Sequence, residues 1–201
     1  MEIHKALSQI SEIHGHLAKS EIYKSGKSAP VVLSGLMAAG AAWLQPRILG
    51  GEAGFGFVVF WLAVAAISLL MGGAVILYNY VFCEGTLARR TTRRVVGQFA
   101  PSLAAGALVT VAVVSMGEAE VRLLPGCWAV LFSLGIFAAR PYLPRAVGWV
   151  ALFYLMTGAA LLLLARDGAS LSPWGMGATF GVGQLLAAAV LYWNLERKEN
   201  G

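Results

Sequence analysis

The sequence predicts an all-α integral membrane protein: a six-transmembrane-helix bundle with a short cytoplasmic amphipathic helix at its N-terminus. Three observations predict it. Hydrophobic residues make up 58% of the 201-residue chain and charged residues only 12%, whereas soluble domains carry roughly twice that charged fraction. Six apolar runs are long enough for a bilayer. The basic residues cluster in alternate connections between those runs. A soluble core of this size has no room to hide six such runs.

Residues 1–27 come first and are polar and mixed in charge. They do not read as a secretory signal, which opens with a short basic segment followed at once by an apolar one. From Ile3 to Ala18 they read as a helix. At about 100° per residue, Ile3, Ala6, Leu7, Ile10, Ile13 and Leu17 fall within about 60° of one line. Lys5, Glu12 and Lys19 lie opposite. The stripe lacks Trp and Phe, and its acids balance its bases as far as Lys24, so a protein surface suits it better than lipid. Leu7, Ile10, Ile13, His14 and Leu17 are therefore the candidate partner-docking residues. What they meet is the bundle's own cytoplasmic end, a second copy or another protein. His4, His14 and His16, all the histidines of the chain, point in three directions from one straight helix and do not converge on a metal. His14, on the apolar edge of the stripe, is the residue that would make docking sensitive to pH near about 6.5.

The six spans are read as Ala29–Gln45, Gly54–Phe82, Val95–Met116, Leu123–Ala139, Ala146–Ala165 and Trp174–Leu195. Together they form one unit over residues 28–195, followed by a tail over 196–201. The second span exceeds bilayer thickness and should tilt, bend or project, with Gly72-Gly73 as the bend point. Pro30, Pro101 and Pro144 lie near the starts of the first, third and fifth spans. "APVVLSG" and "APSLAAG" match in spacing, as do "PGCWAVLFSLG" and "PWGMGATFGVG". Three helical hairpins in series would explain these matches; so would the ordinary preference for proline at helix starts. Small residues line one face of the first span (Ser34, Ala38, Ala42) and of the sixth (Gly177 and Gly181, with Gly175, Thr179 and Gly183). Such faces let helix backbones approach closely.

Charge orients the bundle. With the N-terminus inside, twelve of the fifteen Lys and Arg residues fall on the cytoplasmic side, leaving Arg47, Arg122 and Arg166 outside. Both termini are then cytoplasmic. The aromatic residues agree: Trp43, Trp128 and Trp174 near one interface, and Trp149, Trp193, Tyr78, Tyr80, Tyr142 and Tyr192 near the other. The net charge of +5 reads as this retention signal and not as a nucleic-acid footprint, because no basic patch is interleaved with aromatics. Cys83 and Cys127 fall at opposite faces, too far apart for a disulfide.

Reactive chemistry is scarce. The spans hold no Asp, Glu, Lys, Arg or His at mid-depth, so proton-coupled transport is not expected. Gln184 and Gln98 are the bundle-core polar candidates, and Gln184 is expected to hydrogen-bond inside the bundle. "SGKS" at Ser25–Ser28 lacks the first glycine of a phosphate-binding loop, since Glu21 stands there. "GEAGFG" and "GMGATFG" do not follow strands. Cys83-Glu84 reads as an inert juxtamembrane pair near Arg89. No nucleophile and base come within reach of one another, and no cofactor, metal or catalytic residue is assigned. The "LARRTTRR" loop is the densest charge cluster. Its Arg89, Arg90, Arg93 and Arg94 are candidates for anionic lipid or an acidic partner.

The expected function is that of a small, non-enzymatic interaction or regulatory protein of the cytoplasmic membrane. Its partners would be the lipid bilayer and a cytoplasmic protein or a second copy of itself. The alternative is a small transporter or channel for a neutral or lipophilic solute, with an intramembrane enzyme third.

Overall fold

The computed structural model describes residues 28–50, 54–83, 86–166 and 171–196. The N-terminal amphipathic stretch, with Leu7, Ile10, Ile13, His14 and Leu17, lies outside the described residues. What is described is an all-α bundle of six helices, each long and apolar enough to cross a membrane. They are α1 (Ser28–Leu49), α2 (Phe55–Tyr78), α3 (Thr86–Met116), α4 (Leu124–Ala139), α5 (Val147–Arg166) and a composite α6. α2 continues through a π-helical turn, Asn79–Cys83, and 3-10 turns flank α4 at Glu120–Leu123 and Arg140–Tyr142. α6 is α-helical over Pro173–Met176, π-helical over Gly177–Val182, α-helical over Gly183–Leu191 and π-helical again over Tyr192–Glu196.

Successive helices run antiparallel and form two packed groups. In one, α3, α4 and α5 lie side by side; in the other, α1 packs on both α2 and α6. The joint between α4 and α5 is close because both carry glycine there. A Cβ on Gly126 would stand 2.8 Å from the Gly158 carbonyl, and one on Gly158 would stand 3.0 Å from the Gly126 carbonyl. Farther along, the Ser133 hydroxyl donates to the Ala151 carbonyl at 2.7 Å. An interhelical bond of this kind replaces water that the bilayer cannot supply. Aromatic rings join the groups: Phe132 contacts Phe99, Tyr154 and Phe180, at centroid distances of 5.1, 4.9 and 6.0 Å.

The small-residue faces of the first and sixth helices meet each other. A Cβ on Gly177 would lie 2.6 Å from the Ala42 Cβ, and one on Gly35 would lie 3.1 Å from the Gly181 carbonyl. The sixth helix therefore packs on the first more than on the fifth. A shared small-residue face outweighs adjacency in sequence, because close backbone contact is the main source of helix affinity in lipid.

Three local expectations change. α3 begins at Thr86, so the arginine-rich "loop" is the first part of a helix. Pro101 lies inside α3 and not at its start. It leaves the Gly97 carbonyl without its usual intrahelical donor. Gly72 and Gly73 sit within continuous α-helix, and the change of hydrogen-bond register comes later, at Asn79–Cys83.

Candidate functional site at the basic end

One end of the bundle collects the starts of α3 and α5 and the ends of α2 and α4. It carries Arg89, Arg90, Arg93, Arg94, Arg140 and Arg145, and is termed the basic end. The helical state of α3 decides how its arginines point. At about 100° per residue, Arg89, Arg93, Arg90 and Arg94 cover one arc of about 140°, with Thr91 and Thr92 on the other side. Burial follows this geometry. Thr91 and Thr92 are 7% and 2% exposed, while Arg90, Arg93 and Arg94 are exposed and Arg89 is half-buried. The threonines seat the turn on the bundle, and Arg90, Arg93 and Arg94 face outward.

Neighbouring elements fix two of the arginines. Arg89 Nη2 donates to the Val81 carbonyl at 2.9 Å, using an acceptor in the π-helical turn after α2. The Arg89 guanidinium carbon lies 5.6 Å from the centre of the Tyr80 ring, and its Nε is shielded without a hydrogen-bond partner among the described residues. Arg94 lies 5.9 Å from the centre of the Tyr142 ring, which the 3-10 turn after α4 supplies. These are cation–π separations. The Arg140 guanidinium rests beside Gly148, where a Cβ would stand 3.1 Å from Nε. Asn79, in the same π turn as Tyr80, is 7% exposed. The site is thus an outward arginine face backed by two tyrosines and footed on buried threonines.

The other polar candidates separate. Gln98 is exposed and is not a bundle-core residue. Phe99, beside it in the same turn of α3, is the residue that packs on α4, against Gly135. Gln184 is half-buried against α1, with its Cβ 3.2 Å from where a Gly35 Cβ would stand. The buried amide bond expected at Gln184 occurs instead at Gln45, whose Oε1 accepts from Trp61 Nε1 at 2.7 Å. A second indole bond runs from Trp128 Nε1 to Thr110 Oγ1 at 2.8 Å. Tyr154 is fully buried, and its hydroxyl has no hydrogen-bond partner among the described residues. A pattern of alternating apolar residues carries no mark of these pairings, since each joins helices whose rotation is set by packing. The sequence signal for the tyrosine–arginine pairs is only that both residue types fall at one interface.

No family model, curated protein or solved structure matches this chain.

Proposed function

We propose that this is a non-enzymatic, multi-pass protein of the cytoplasmic membrane that engages a partner protein through its cytoplasmic face, with both termini on that side. The basic end is the cytoplasmic end in this reading, because arginine-rich connections are retained there. One observation carries the proposal: the outward polar chemistry of the bundle is gathered on the α3 arginine face and its tyrosine backing. Between the helices, by contrast, Gln45, Ser133 and Trp128 are engaged in helix–helix bonds, to Trp61, Ala151 and Thr110. The amphipathic stretch that carries Leu7, Ile10, Ile13 and Leu17 joins α1 at the same end. Its balanced charge favours a protein surface.

The test is in-cell crosslinking from the N-terminal stretch, with mass-spectrometric identification of what is captured. Deleting residues 1–23 should leave the bundle inserted and abolish capture. Glutamate at Leu7, Ile10 and Ile13 together should do the same. Intact protein that captures nothing specific sinks the reading. Solute flux through reconstituted vesicles that is lost in Gln184→Leu would establish the transporter alternative in its place.

A further inference from the structure

We propose that the α3 arginine face is a binding site for the headgroup phosphate of an anionic phospholipid, drawn from the leaflet at the basic end. The inference deepens the proposed function, since it rests on the basic end being the working surface, and it names a second occupant distinct from the protein partner.

Depth is the first argument. Counted from Met116 at 1.5 Å per residue, Arg94 to Arg89 lie about 33 to 40 Å along α3. The hydrocarbon core is about 30 Å thick, and headgroup layers bring the bilayer to about 40–45 Å. With Met116 at the far edge of the core, Arg93 and Arg94 therefore stand within the headgroup layer, and Arg89 and Arg90 at its outer edge. Exposed aromatics mark the same level around them: Tyr78, Phe82, Trp149 and Trp193. Such a collar holds a protein at the headgroup boundary.

Charge is the second. Four arginines occupy the first three turns of α3, and Arg89 lies in the first, where the helix dipole is positive. No ion pair joins Arg89, Arg90 or Arg93 to a carboxylate among the described residues. An anion at this face relieves both the mutual repulsion and the dipole. Guanidinium groups recognise phosphate through paired N–H donors. Arg89 is held in place by Val81 and Tyr80, so it enters such a bond with part of its side-chain freedom already surrendered.

Direction is the third. With Thr91 and Thr92 turned inward, the arginine arc looks sideways out of the bundle, past the end of α2. A lipid reaches that face by lateral diffusion.

The experiment uses the full chain, reconstituted in bilayers of phosphatidylcholine with and without phosphatidylglycerol, then released for native mass spectrometry of retained lipid. Phosphatidylglycerol should be retained on the order of a hundredfold over phosphatidylcholine, at about fivefold for each of three headgroup-level arginines. Arg89→Lys, Arg90→Lys and Arg93→Lys together keep the charge and the topology signal but remove the paired donors; retention should fall several-fold. Equal retention of the two lipids by the intact chain overturns the proposal. So does unchanged retention by the triple lysine variant, which would make the effect diffuse charge. Millimolar inorganic phosphate should not displace the lipid; complete displacement would assign the site to free phosphate. Tighter capture of a polyglutamate peptide than of phosphatidylglycerol would assign it to an acidic protein. Loss of lipid selectivity with N-terminal capture intact rejects this inference alone. Lipid selectivity with no protein captured rejects the partner reading alone.

Discussion

Trp61 and Gln45 meet across α1 and α2 with their polar atoms 2.7 Å apart and each residue 3% exposed. Removing the indole donor by Trp61→Phe leaves Gln45 Oε1 buried and unsatisfied. This should destabilise the bundle by about 1–3 kcal/mol in denaturant titrations in detergent. Adding Gln45→Leu to that variant should recover most of the loss, since an apolar pair leaves nothing unsatisfied. Tyr154 makes the opposite case. Its hydroxyl is buried without a partner among the described residues, so Tyr154→Phe should be neutral or stabilise by about 1 kcal/mol, read as an unchanged or raised midpoint in the same titration. A clear loss of stability would mean that the hydroxyl has a partner in the folded protein. The sequence marks Gln45 only as the end of an apolar run and Tyr154 only as one aromatic among several. Whether a polar atom is paired depends on which residue another helix turns toward it.

α1 and α6 show how an element's surface chooses its neighbour. Their contact rests on the absence of side-chain atoms, with Gly177 against Ala42 and Gly35 against Gly181. Gly177→Val forces the helices apart, and overpacking of this kind should cost about 1–3 kcal/mol. Gly40→Ala and Gly106→Ala enter open space and should stay within about 0.5 kcal/mol of the parent. Both are checked by thermal unfolding in one detergent. The small-residue faces are legible at their four-residue spacing. Their mutual contact is not, because the π-helical segment Gly177–Val182 alters the rotation of α6 between its ends. α3 gives the same lesson for its arginines. Composition sets Arg89–Arg94 apart from the apolar run that follows. Helix nevertheless continues through them, because neither the charges nor Pro101 breaks its hydrogen-bond ladder upstream of Gly97. In that state the segment acquires a face, which a loop does not have.

At the scale of the molecule, charge placement and packing together define two unlike ends. In the proposed orientation, a cysteine at Gly50, the only one in a chain with Cys83 and Cys127 replaced by serine, should react with a membrane-impermeant maleimide in intact cells. One at Arg145 should react only after permeabilisation. The reverse pattern would turn the bundle over and remove the cytoplasmic reading of the basic end. The all-α, six-helix character is determined by the sequence alone, since hydropathy along the chain measures a solvent preference that each segment expresses on its own. Likewise the separation of arginine-rich connections from the rest is a property of order along the chain. Only the tertiary structure decides that α6 packs on α1, that Gln45 finds Trp61, and that Tyr80 and Tyr142 back the outward arginines. Those relations depend on the rotational phase of one helix against another. Residues far apart in sequence set that phase, through fits of a few ångströms that hydropathy does not record.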